Sequence, residues 1–418
     1  MISRVWEHGA TKLFTLVVLT CIVLGGVYML ACLLPFGRIS FSLEQDSSVT
    51  GSSTPIKQEP IVVIHRETPR AVKAIYMTAC IASEKRLRDK VFAVIRDTEI
   101  NSIVIDYKDY TGTISYASTT LQSPQSAGKG CRITDLPEFI AELHGFGLYT
   151  IARITTFQDP LYASQHIDVA IQSKSHPGMT WKDTHGLAYI YPGARAYWDH
   201  VVAMSREAYD IGFDEINFDY IRFPSDGVLS DMLIPHTASS IKASILKEFF
   251  VYLHDNLDPS LVTQGTSTVV QSKTHIVTSA DLFGLTTSAL DDMGIGQVLE
   301  NTFPYFDYVA PMVYPSHFAK GFNGFAEPAK HPYEVVLSSM SRAVERAVTA
   351  STSPLKLRTW IQAFDLGTVY TPDMVRAQMK ATYDSGLTSW MIWNAASVYK
   401  KDYLLGAGSS ATSTTVRK

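Results

Sequence analysis

Between Pro69 and Tyr403, short apolar runs alternate with longer amphipathic stretches, the rhythm of a repeated strand–helix unit. Strands are expected at Val72–Thr78 (VKAIYMT), Ser102–Tyr107 (SIVIDY) and Leu148–Ile154 (LYTIARI). Four more follow at Thr274–Asp281, Tyr308–Tyr314, Leu357–Phe364 and Thr388–Asn394. The pattern is sharpest in Gly212–Pro224 (GFDEINFDYIRFP), the fourth strand in order. Phe213, Ile216 and Phe218 are apolar there, while Glu215, Asn217 and Asp219 lie two apart and so share one strand face. Helical spacing covers Glu84–Asp97, Pro137–Gly145, Ala194–Ile211, Ser239–Asn256, Glu334–Thr349 and Pro372–Ser385. Eight strands with interleaved helices predict an α/β fold, a (β/α)8 TIM barrel with enlarged loops over residues 69–405. A doubly wound open sheet is the rival, but no Gly-rich nucleotide fingerprint follows the first strand. The connection Thr155–Gly193 is too long for an ordinary βα loop.

The amino end departs from this rhythm. From Leu13 to Gly37 there are 25 residues without a charge, enough for a helix to span a hydrocarbon core. Arg4 and Lys12 precede the run, which predicts a cytoplasmic stub at 1–12 and a single-pass anchor at 13–37, preceded by positive charge on the inner side. The remainder would then lie on the extracytoplasmic side of the cell membrane. A cleaved signal peptide and a lipid anchor at Cys32 are the alternatives, and both export the rest of the chain as well. Residues 38–68 read as a flexible tether and 406–418 as a disordered tail.

Composition narrows the classes further. Hydrophobic residues make up 46% and charged residues 18%, so a large core is expected. The net charge of -4 comes without a basic stripe, which excludes nucleic acid as the main partner. Four cysteines do not make a disulfide framework; two fall in the apolar run, and Cys80 and Cys131 are read as two separate buried thiols, with a disulfide between them as the alternative. The 12 histidines are scattered without metal-binding spacing, so neither metal nor cofactor is expected. A Gly-x-Ser-x-Gly elbow is absent, against a serine hydrolase.

The chain resembles a family of exported bacterial proteins whose TIM barrel is described as a glycoside hydrolase domain of unknown function. The resemblance rests on VKAIYMT, NSIVIDYKDYTGTISY, ARITTFQDPLYA, WKDTHGLAYIYP, GFDEINFDYIRFP, SADLFG, APMVYPSHF and MIWNAASVY, which together run the length of the barrel. It implies a TIM barrel and glycosidase activity.

Most glycosidases use two carboxyl groups, one a proton donor and the other a nucleophile or base. Acids at C-terminal strand ends are therefore singled out, because barrel enzymes do their chemistry there. Asp219 is assigned as nucleophile or base. Asp281, on an apolar strand, is assigned as donor, since desolvation raises a carboxyl pKa. Substrate contacts are expected from Asp106, Lys108, Arg153, Trp181, Glu215, Arg222, Tyr314, Asp365, Trp393 and Asn394. Within that set Arg222 is read as the cation that orients Asp219, Arg153 as a partner of one central acid, and Glu215 as part of a deeper network. The expected function is a membrane-anchored glycoside hydrolase acting on an envelope or secreted polysaccharide. The alternative is a tethered barrel that binds glycan without cleaving it. A polysaccharide deacetylase is weaker, since it needs a metal cluster.

Overall fold

The computed structural model describes residues 63–117, 130–234, 242–258 and 275–407. They belong to the unit Pro60–Lys418, and the stretch expected to be an anchor lies outside the described residues. Among the described residues, no helix is long and apolar enough to cross a membrane.

Eight parallel strands close into a barrel: β1 (Lys73–Met77), β2 (Ser102–Lys108), β3 (Tyr149–Thr155), β4 (Glu215–Asp219), β5 (Val277–Phe283), β6 (Tyr308–Met312), β7 (Thr359–Gln362) and β8 (Trp390–Trp393). Each pairs with its neighbours in sequence, and β8 pairs with β1 to complete the circle. The longer helices are α1 (Lys85–Ile95), α2 (Leu136–Gly145), α3 (Arg195–Ile211), α4 (Lys242–Leu257), α5 (Pro332–Thr349) and α6 (Pro372–Asp384). Between β5 and β6 the chain makes only short 3₁₀ turns.

The two-residue alternation of the strands divides the core in two. Outward residues such as Ile75, Ile105, Ile216, Phe218 and Leu282 pack under the helices. Inward residues, Ala74, Tyr76, Val104, Tyr149, Ile151, Tyr314 and Trp360 among them, form a separate interior cluster. Local chemistry fixes the element ends. Thr371 caps α6, its hydroxyl accepting from the Met374 N–H, and Pro372 follows at the first helical position. Gly212 ends α3 at φ +126°, a conformation open to glycine, and turns the chain into β4.

The long connection 155–193 is structured. A short helix (Pro160–Gln165), capped by Asp159, opens it, and Gln172–Ser173 pairs antiparallel with Met232–Leu233 of the loop after β4. Two readings of the sequence need correction. Cys80 and Cys131 form a disulfide with Cα atoms 4.8 Å apart. Their 51-residue separation hid the fact that the turn after β1 and the loop after β2 meet above adjacent strands. Residues 63–68, read as tether, pack on the barrel instead: the Arg66 backbone N–H donates to Asp214 Oδ1 at 2.6 Å, and Thr68 Oγ1 lies 3.0 Å from the Tyr149 hydroxyl.

Candidate active site

Strand β4 carries three inward polar residues at three depths. At the N-terminal end Glu215 is fully buried, and both its oxygens accept from Arg358 Nη1 at 2.8 Å. Tyr149 Oη adds a third bond to Glu215 at 3.0 Å. The Arg358 guanidinium also stacks on the Tyr308 ring, 3.3 Å from its centroid. Buried charges require such partners, and this pair fills the barrel floor. Glu215 therefore sits below the site, as the deeper network expected of it, with no oxygen turned toward a ligand.

One turn of the alternation higher, Asn217 reaches across to β5. Its Nδ2 donates to Ser279 Oγ at 3.0 Å and to Asp281 Oδ1 at 2.8 Å. Trp360 on β7 donates its indole N–H to the same Asp281 oxygen at 2.7 Å. Asp281 is 1% exposed. Burial, reinforced by the nearby Asp219 charge, pushes its carboxyl well above the usual carboxylate range. The adjacency follows from the register, in which Phe218 of β4 lies beside Ala280 of β5, so the next residues along are Asp219 and Asp281.

Asp219 stands at the C-terminal end of β4. Its Oδ2 accepts from Arg153 Nε at 3.1 Å and Nη2 at 2.6 Å. Its Oδ1 accepts from the Tyr220 backbone N–H at 2.6 Å. Tyr220 has φ +52°, an uncommon conformation for a residue with a side chain, and strain of this kind gathers at functional sites. Arg153 extends the network, with Nη1 donating to Asp106 Oδ1 at 2.6 Å. Tyr76 Oη donates to Asp106 Oδ2 at 2.5 Å. Burial raises the Asp106 carboxyl, against the pull of Arg153. Trp393 stacks on Tyr76 with centroids 4.0 Å apart, and its ring also faces the Arg153 guanidinium at 5.1 Å. Tyr314 closes the far side; burial and the neighbouring Asp281 and Asp219 charges raise its phenol far above normal.

The structure thus brings Asp106, Arg153, Asp219, Asp281, Tyr314 and Trp393 together. Others expected at the site lie elsewhere. Arg222 does not touch Asp219; the turn at Tyr220 sends its guanidinium to the Phe223 carbonyl at 3.0 Å, between the Tyr220 and Phe283 rings. Lys108 is buried, paired to Asp159 at 3.0 Å and donating to the Thr155 carbonyl, so it holds the loop after β3. Trp181 is buried and bonds the Val228 carbonyl at 3.0 Å, joining the two large loops. Asp365 accepts from the Tyr370 backbone N–H at 2.8 Å in an exposed turn. Asn394 is engaged by backbone, donating to Ala363 O and accepting from Ala396 N–H. Tyr76 and Asn217 entered no expected site, although both occupy inward positions of strands that the alternation had already marked. Among the described residues no group of His, Cys, Asp and Glu is arranged to hold a metal ion.

Comparison with known proteins agrees with the architecture. Residues 74–399 match a family described as "putative glycosyl hydrolase domain". Among solved structures, the PgaB (BpsB) glycoside hydrolase domain from Bordetella bronchiseptica is similar with a TM-score of 0.55 at 13% identity, over 78% of this chain and 95% of that one. Alpha-L-fucosidase isoenzyme 2 from Paenibacillus thiaminolyticus gives 0.52 at 13% identity, over 80% of this chain and 48% of that one. A hypothetical protein from Ruminiclostridium thermocellum is 27% identical over 53% of this chain and 98% of that one, with a TM-score of 0.41. No curated protein matches the sequence.

Proposed function

Since the chain belongs to the family described as "putative glycosyl hydrolase domain", we propose that it hydrolyses a cell-envelope or secreted polysaccharide from the extracytoplasmic side of the membrane. The observation that carries the reading is the unequal pair of carboxyl groups on neighbouring strands. Asp281 is buried and raised, as a proton donor needs to be, while Asp219 is ion-paired to Arg153. In this mechanism Asp281 gives its proton to the leaving oxygen as Asp219 attacks the anomeric carbon or activates water. Arg153 orients Asp219, Asp106 and Tyr76 orient Arg153, and Trp393 with Tyr314 offers ring surface to the sugar.

Two features support export and anchoring. The Cys80–Cys131 disulfide suits an oxidising compartment, and Leu13–Gly37 is long and uncharged enough to span a bilayer. Protease protection in membrane vesicles tests the topology: digestion of the barrel from the cytoplasmic side would refute it.

Hydrolysis by the full chain in mild detergent, across a panel of bacterial glycans and beside Asp219→Asn, tests the activity. Cleavage that disappears in the variant supports the assignment. Retained cleavage in Asp219→Asn removes Asp219 from the chemistry. Saturable binding without any cleavage replaces the hydrolase with a glycan-binding barrel.

A further inference from the structure

Two donors converge on a single oxygen of Asp281. Trp360 Nε1 lies 2.7 Å and Asn217 Nδ2 2.8 Å from Oδ1, and all three side chains are buried. Both donors are held firmly. The Trp360 indole is fully enclosed in the barrel interior, edge-on to Trp393, and its N–H can only donate. The Asn217 amide is locked by its second bond, to Ser279 Oγ, and its own Oδ1 is buried without a hydrogen-bond partner among the described residues. It gives up an acceptor in order to turn its donor side to β5. An oxygen that already accepts two N–H bonds has no lone pair left for a proton. In neutral Asp281 the proton therefore belongs on the other oxygen.

We propose that Trp360 and Asn217 are positioning residues that fix the acidic proton of Asp281 on Oδ2 and receive the charge on Oδ1 once that proton is given up. The inference rests on reading Asp281 as the proton donor. Asp219 on β4, Arg153 on β3 and Tyr314 after β6 are the charged and titratable groups that face Asp281. Of these, Asp219 opposes ionisation and Arg153 favours it. The Trp360 and Asn217 bonds favour the ionised form too, so retaining the proton is the work of burial, reinforced by the Asp219 charge. The two N–H groups decide where the proton sits. They also strengthen as negative charge develops, which places their benefit in the transition state.

The test is a carbon-13 NMR titration of the full chain labelled at its aspartate carboxyl carbons, with the Asp281 signal identified by its loss in Asp281→Asn. Trp360→Phe keeps an aromatic ring and deletes the N–H; Asn217→Ala is the second variant should the first not fold. In either, the Asp281 midpoint is expected to rise by about one pH unit while the Asp106 signal stays in place. General loosening would admit water and move both signals down toward ordinary carboxylate values. That result, or an unmoved Asp281 midpoint, overturns the proposal. The titration needs no substrate, so it is decided separately from glycan cleavage: loss of the hydrolase reading with a rising midpoint leaves the clamp standing.

Discussion

Arg153 grips Asp219 through two nitrogens, Nε at 3.1 Å and Nη2 at 2.6 Å, both on Oδ2. Its remaining terminal nitrogen, Nη1, holds Asp106, so one cation on β3 compensates carboxylates on the strands to either side. Arg153→Met would leave both carboxylates buried without their shared cation. The expected loss is about 3–5 kcal/mol of stability, read by urea unfolding. Arg153→Lys keeps the charge without the planar fork, and is expected to recover part of the stability but less than a tenth of kcat/KM.

The raised Asp281 carboxyl sets a pH dependence. A carboxyl whose folded pKa lies above its unfolded value stabilises the fold in acid, and that contribution is lost as pH rises through the folded pKa. Asp281→Asn imitates the neutral acid at every pH. Its thermal midpoint should match the wild type near pH 4 and exceed it increasingly as pH rises, at up to about 1.4 kcal/mol per pH unit between the two pKa values. A constant difference between the proteins from pH 4 to 8 would contradict this. Glycan cleavage by the wild type should fall on the alkaline side for the same reason.

Glu215 and Arg358 provide a contrast, because their pairing is distant from the proposed chemistry. Glu215→Gln removes the charge that compensates Arg358, which bonds Glu215 through Nη1 alone and whose Nε and Nη2 have no hydrogen-bond partner among the described residues. Destabilisation of about 3–5 kcal/mol is expected. The pH profile of the protein that remains folded should keep its wild-type limbs. A shifted limb would assign Glu215 to the reaction after all.

The disulfide closes a loop of 51 residues, and the chain-entropy argument gives it about 4 kcal/mol. Cys80→Ser is expected to lower the unfolding free energy by that order. Thiol counting on denatured, unreduced wild type should find Cys80 and Cys131 blocked. If both react freely, the bridge does not form in the mature protein.

Much of this was legible in the strand alternation. Glu215, Asn217 and Asp219 lie two apart, and all three do point inward, because a residue's side of a strand is a local property. Which groups meet across the interior depends on register and shear, and these are not local. Arg222, three residues from Asp219, looked the better partner than Arg153, 66 residues away, until the positive φ at Tyr220 turned the chain. The same reason hid Tyr76, Asn217 and the Trp360 indole N–H, each defined by a bond to another strand. Lys108 shows the opposite failure. It ends β2 as a sugar-binding residue might, yet its four-carbon stem carries the ammonium under the next loop.

The Glu215–Arg358 pair occupies the barrel interior at the N-terminal end of β4. The acids above it, Asp219 and Asp281, therefore lie toward the C-terminal rim of the strands, where barrel enzymes meet their ligands. On the proposed reading, a polymer would lie across that rim rather than thread the barrel.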